Sequence, residues 1–92
     1  MATFIMVGKY SLSALQEISK ERTKKADEII KNLGGKVKST YVLLGEHDLH
    51  IIADLPDMKQ AIKASIALTK LTAISFTTSE AITAEEFDTM ME

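Results

Sequence analysis

Residues 36–57 read KVKSTYVLLGEHDLHIIADLPD and contain the clearest signals of secondary structure in the chain. Two apolar runs, residues 37–44 and 49–54, have the length and the β-branched content of strands. The polar break between them, residues 45–48, contains a glycine and has the length of a hairpin loop, so we predict that the two strands pair antiparallel. Pro56 and Asp57 mark the start of a helix, because proline is accepted in a first turn and an early carboxylate suits the helix dipole.

The residues before this stretch predict one strand followed by one long helix. Residues 2–10 are short and apolar on both faces, with Phe4 and Met6 on one side and Ile5 and Val7 on the other. The helix is predicted to begin at Ser11 or Ser13 and to end at the glycine pair 34–35. Its apolar positions recur every three or four residues in one stripe that Arg22 interrupts: Leu12, Leu15, Ile18, Ala26, Ile29, Ile30 and Leu33.

The residues after this stretch predict a second helix, a fourth strand and a short terminal element. The buried stripe of the second helix is predicted to consist of Met58, Ala61, Ile62, Ser65, Ile66 and Thr69. Residues 71–79 are predicted to form the fourth strand. In the tail, residues 80–92, Thr83 and Glu86 have the spacing of a capping box, so this segment is either a short helix or a frayed end.

The order β-α-β-β-α-β predicts a single α+β domain over residues 1–92, a ferredoxin-like sandwich. Right-handed crossovers place both helices on one face of a four-stranded antiparallel sheet with strand order 4-1-3-2. Since side chains alternate along a strand, about half of the apolar strand residues are expected on the other face. A large exposed apolar face is unusual for a monomer, so we expect a second copy to cover it. Two facing sheets would enclose a small interior, where we expect any ligand.

The composition excludes several classes of function. The chain has 92 residues, a net charge of −2 and no cysteine, which excludes disulfides, thiolate nucleophiles and cysteine-based metal sites. Basic and acidic residues are interspersed, so no nucleic-acid partner is expected. The N-terminus lacks the pattern of a signal peptide and no apolar run has the length of a membrane span. We therefore expect a cytoplasmic protein without a membrane partner.

Five residues are candidates for binding a ligand: Arg22, Tyr41, His47, Asp48 and His50. Arg22 is a candidate for binding an anion, for pairing with Asp48, or for reaching solvent from the helix edge. The ring of Tyr41 either packs in the core with its hydroxyl in contact with solvent, or the hydroxyl donates a hydrogen bond to a bound carbonyl group.

The two histidines and Asp48 lie at the predicted hairpin. His50 is a candidate general acid–base, because imidazole is the side chain most often used for proton transfer, whereas His47 is a turn residue. Asp48 closes the turn, where its carboxylate is expected to accept hydrogen bonds from backbone N–H groups. Gly45 is predicted to be required for its backbone conformation. His47, His50 and Asp48 resemble a 2-His-1-carboxylate set, but no further ligand supports it, so neither a metal nor a cofactor is expected.

Taken in order along the chain, several segments resemble the GYD-domain family, a group within the dimeric α/β-barrel superfamily. They are residues 3–10, Arg22, residues 33–37, Tyr41, residues 44–49 and the pair 56–57. The resemblance covers residues 3 to 82 and implies a ferredoxin-like fold and a homodimer or larger homo-oligomer. His47 stands where the family's Gly-x-Tyr-Asp motif has tyrosine, so any role of that phenol is altered here.

The resemblance does not imply a reaction, because its superfamily contains monooxygenases, haem enzymes, isomerases and sensing domains. No catalytic constellation is evident, so the catalytic residues, and whether the chain is an enzyme, stay open. Three functions are consistent with the residues. The first is a self-associating module that binds a small apolar or amphipathic molecule between its sheets. The second is a small metal-independent enzyme, of a monooxygenase or isomerase type, whose pocket contains Arg22, Tyr41 and His50. The third is a ligand-sensing regulatory domain.

Overall fold

The computed structural model describes residues 1–92 and contains four strands and four helices. In chain order these are β1 (Ala2–Lys9), α1 (Leu12–Gln16), α2 (Lys20–Asn32), β2 (Lys36–Val42), β3 (Leu49–Leu55), α3 (Met58–Thr72), β4 (Ser75–Ala81) and α4 (Ala84–Met90). None of the helices has both the length and the apolar content needed to cross a membrane.

The strands form one antiparallel sheet with the order β2-β3-β1-β4, as the ferredoxin-like sandwich predicts. Phe4 and Met6 of β1 are fully buried in a core that also contains Ile30 of α2 and Leu68 of α3. Alternate residues of β3, from Leu49 to Leu55, belong to the same core. Both long helices therefore lie on one face of the sheet, which we call the helix face, and the opposite side is the open face.

The predicted long first helix is wrong, because the chain breaks it at residues 17–19. The Ser11 hydroxyl caps α1 by accepting the Ala14 N–H at 3.0 Å. The Ser19 hydroxyl then accepts the Arg22 N–H at 3.1 Å and begins α2. Because of this break, the first part of the predicted stripe faces solvent. Leu12, Leu15 and Ile18 are exposed, and Ala14 is the buried residue of α1.

The predicted buried stripe of the second helix is also wrong in most of its members. Ala61 is buried as expected, but Ala64, Leu68 and Thr72 complete the buried stripe. The larger residues Met58, Ile62 and Ile66 are exposed. The small alanines on the inner side allow α3 to lie close to the sheet and to α2. The close packing gained in this way stabilises the fold more than burying the larger residues would.

The fourth strand begins four residues later than predicted, so Ile74 lies before the strand and not within it. Thr72 extends α3 and Ala73 ends it in the left-handed conformation, with φ of 59°. The β4 residues opposite Ile5 and Val7 are Ser79 and Thr77.

The apolar part of the open face is smaller than the sequence suggests. Cross-strand partners share a face of the sheet, so the pairs in register with Ile5 identify its members. Ile5 and Ile52 form its centre, with Val7 and Tyr41 beside them. Apart from Ala81, the remaining positions are polar, including His50 and Asp54 on β3 and Ser75, Thr77 and Ser79 on β4. The face therefore has a compact apolar centre and a polar border.

Candidate functional site between the helices and the sheet

A cavity of about 270 Å³ lies on the helix face, between α2, α3 and the sheet, near the β2–β3 hairpin. Its floor is formed by sheet residues such as Leu49 and Ile51, and Leu68 and Ile74 close one wall. Most of the lining is apolar. The polar groups come from Tyr10, at the exit of β1, from Thr40 and Thr72, and from Arg22, Thr23 and Asp27 on the first turns of α2. The cavity lies between the helices and the sheet, not on the open face where the sequence led us to expect a ligand.

Arg22 is the candidate residue that the structure places at this cavity. It is half-buried, and its Nη1 donates to the carbonyl oxygen of Ala14 at 2.8 Å, which ties α1 to α2. A guanidinium carries five N–H donors, so this bond leaves several free for another acceptor. The predicted alternative, an ion pair between Arg22 and Asp48, does not form, because Asp48 pairs with Lys9.

Asp48 has a structural role beneath the hairpin, and only 5% of its surface is exposed. Its carboxylate accepts the backbone N–H of Tyr10 at 3.0 Å and that of Gly45 at 3.2 Å. The Lys9 Nζ donates to it at 3.2 Å and to the Gly45 carbonyl at 2.7 Å. The predicted bond to turn backbone is therefore present. The further bond to Tyr10 joins the hairpin to the end of β1, beside the cavity.

These contacts change the acidity of Asp48. The hydrogen bond from the Gly45 N–H, then that from Tyr10, lowers the pKa of the Asp48 carboxyl below its usual range, and Lys9 lowers it further. Partial burial opposes this shift but does not cancel it. Asp48 is therefore ionised at neutral pH, and its carboxylate accepts a hydrogen bond in each of its close polar contacts. This indicates that Asp48 is a structural hydrogen-bond acceptor and not a group that transfers protons.

Gly45 does not have the role that the sequence suggested. Among the glycines, only Gly34 has a positive φ, at 85°. A Cβ added at Gly45 would meet no atom within 4 Å. The backbone of the hairpin thus needs neither the conformational freedom nor the small size of glycine at position 45.

The other three candidates lie on the opposite side of the sheet from Arg22 or at its end. Tyr41 pairs with His50 across β2 and β3 on the open face. The His47 ring lies beside His50, with ring centroids 6.2 Å apart. A single pocket lined by Arg22, Tyr41 and His50, as the enzyme hypothesis requires, is therefore not formed within the chain. The structure contains no group of three acidic or histidine side chains suited to hold a metal ion.

The open face has a polar network that the sequence analysis missed. The Thr3 hydroxyl donates to Asp54 at 2.8 Å, and Lys38 Nζ lies 3.5 Å from the same carboxylate. The hydroxyl of Thr3, and then the charge of Lys38, lowers the pKa of the Asp54 carboxyl. Asp54 lies next to apolar residues in a strand, and this pattern was the available signal that it needs a partner on a neighbouring strand.

The architecture defines an α+β sandwich with a cavity under its helices and a sheet face left open. The model of the GYD domain matches residues 4–91, almost the whole chain, so the protein belongs to the GYD domain family. No curated protein and no solved structure matches the chain.

Proposed function

We propose that this protein is a homodimeric binding module for a small amphipathic molecule, and that the molecule binds in the cavity on the helix face. The observation that supports this proposal is a mostly apolar cavity with a half-buried arginine at its edge. Its volume of about 270 Å³ is near the lower end for ligand sites, which favours a compact ligand.

The polar groups of the cavity favour a carboxylate or carbonyl at one end of that ligand. The planar guanidinium of Arg22 can donate two parallel hydrogen bonds to one carboxylate, a bidentate arrangement. Asp27 also borders the cavity, but it is exposed whereas Arg22 is half-buried. Since solvent screens the outer carboxylate more strongly, Arg22 dominates the recognition of the head group. The apolar body of the ligand then packs on Leu49, Ile51 and Leu68.

Octanoate and its neutral analogue 1-octanol are suitable probes. We expect octanoate to shift the amide NMR signals of Arg22, Thr40 and Leu49 and to bind more tightly than 1-octanol. Arg22→Gln is expected to weaken octanoate binding about tenfold or more, because it removes a charge-assisted hydrogen bond. Lys25→Gln is the matched control, because it removes a positive charge from the same helix at a position that does not line the cavity.

Two results would contradict this assignment. One is octanoate binding that Arg22→Gln and Lys25→Gln weaken equally, because only general electrostatics would then be involved. The other is a set of NMR shifts confined to open-face residues such as Tyr41 and Ile52, which would return the ligand to the space between facing sheets.

The open face supports the homodimer. Its apolar centre of Ile5, Val7, Tyr41 and Ile52 and its border of serine, threonine and histidine have the anatomy of an interface, with an apolar core and a polar rim. The face is continuous across four strands. A second copy presents the same surface, and two-fold pairing makes it self-complementary.

Ile52→Asp is expected to convert the dimer to a monomer at micromolar concentration, because each copy would place an unpaired carboxylate at the interface centre. Sedimentation equilibrium measures this change directly: the dimer has twice the chain mass of 10.1 kDa. Ile62→Asp is the control, since Ile62 is exposed on α3, on the other side of the molecule. A wild-type protein that sediments as a monomer would refute the dimer, as would a dimer that Ile52→Asp leaves intact while circular dichroism shows it folded.

A further inference from the structure

The terminal helix α4 is well formed but buries none of its residues against its own chain. Thr83 caps it by accepting the Glu86 N–H at 3.0 Å, and none of its residues is buried. Phe87, Met90 and Met91 recur at helical spacing and are 52%, 68% and 69% exposed. A helix of 7 residues is marginal in water by itself, so its apolar stripe needs another surface for stability.

Charge is divided unevenly along the chain in a way that indicates what this surface is. The tail, residues 80–92, contains five acidic residues and no basic one. Residues 1–79, the body, contain all eleven basic residues against eight acidic ones. The tail therefore has a net charge of −5 and the body a net charge of +3, so the tail is complementary to the body of another copy and not to its tail.

The position of α4 brings it to the open face. Glu86, in its first turn, lines a groove together with Ile5, Ile52 and Lys38. Ile5 and Ile52 are the centre of the open face, and Lys38 lies on β2 at its border. The helix therefore starts beside the surface on which the proposed second copy lies.

We propose that α4 is an arm that packs its Phe87 and Met90 stripe on the second copy, with its acidic side chains near that copy's Lys36 and Lys38. This inference rests on the proposed dimer. It adds that the interface extends beyond the two sheets to residues 83–92. These lysines are the basic residues of β2, the edge strand opposite β4.

The absence of cysteine allows a direct test, since one introduced cysteine is the only site for a spin label. Labelled Met91→Cys protein without isotope is mixed with ¹⁵N-labelled protein of natural sequence. We expect broadening of the Lys36 and Lys38 amide signals in the ¹⁵N-labelled copy, which can arise only between copies. A label at Lys31→Cys, at the end of α2, should leave those signals sharp.

The same samples separate the two proposals. Dimer mass in sedimentation without broadening between copies overturns the arm alone, and it would mean that α4 folds back on its own chain. Monomer mass overturns both proposals. As a second measurement, Phe87→Ser with Met90→Ser should weaken dimerisation tenfold or more, because the apolar contact is lost. Thr89→Ser, away from the stripe, should not. Unchanged dimerisation in the double variant would also overturn the arm.

Discussion

Gly35→Ala is expected to lower the free energy of unfolding by about 3 kcal/mol, near the upper end of the range for overpacking. Gly35 links α2 to β2, and its N–H donates to the Ile30 carbonyl at 3.0 Å. A Cβ at this position would overlap the carbonyl oxygen of Asp54 and approach Leu55 Cδ2 to 2.7 Å. The backbone of β3 cannot move away without disturbing its pairing with two neighbouring strands.

Gly45→Ala is the matched control, because a Cβ there meets nothing within 4 Å. Urea denaturation followed by circular dichroism gives both values. We expect the midpoint for Gly45→Ala to stay within experimental error of the natural protein and that for Gly35→Ala to fall strongly. Equal midpoints for the two variants would show that the close packing of α2 against the end of β3 is not rigid.

The strands and their order could be predicted from the sequence because each is a short apolar run rich in β-branched residues, bounded by turn or helix signals. Phe4 and Met6 do face away from Ile5 and Val7, and the polar break at residues 45–48 does join antiparallel neighbours. The break in the first helix could not be predicted from periodicity. The apolar stripe continues through Ile18, whereas the cap at Ser19 depends on one hydroxyl reaching the Arg22 N–H.

The face that α3 buries was ambiguous for a different reason. Ala61, Ala64 and Leu68 have helical spacing, and so do Met58, Ile62 and Ile66. Hydrophobicity favours the second set, but the structure buries the first, because close approach between helix and sheet requires small side chains.

The candidate site was predictable only in part. Arg22 was identified because a charge interrupts an apolar stripe, and it does lie at the cavity. The cavity itself forms between α2, α3 and the sheet, and no local pattern encodes that arrangement. Tyr10 follows β1 and Thr40 lies in β2, so their proximity at the cavity depends on the tertiary structure.

Asp48→Ala is expected to lower the melting temperature by roughly 10 °C, because two backbone N–H groups and Lys9 lose their acceptor at once. The melting temperature of Asp48→Asn should lie between those of the natural protein and Asp48→Ala. The asparagine amide oxygen can accept a hydrogen bond from one of these N–H groups, but its NH₂ group faces another donor. Asp57→Asn is the control. Asp57 accepts the Gln60 N–H as the cap of α3, and asparagine caps a helix equally well.

The pH dependence of this loss tests the charge of Asp48. Because contacts in the folded state lower its pKa, the folded protein binds a proton there less readily than the unfolded chain. The stability contributed by its charge is therefore complete above the unfolded pKa of about 3.9 and is lost as the pH falls through the lower folded value. Differential scanning calorimetry of the natural protein and Asp48→Asn should show a difference in melting temperature that is constant near neutral pH and shrinks below about pH 4. A difference that persists unchanged in acid would mean that hydrogen-bond geometry, and not the carboxylate charge, holds the hairpin to the end of β1.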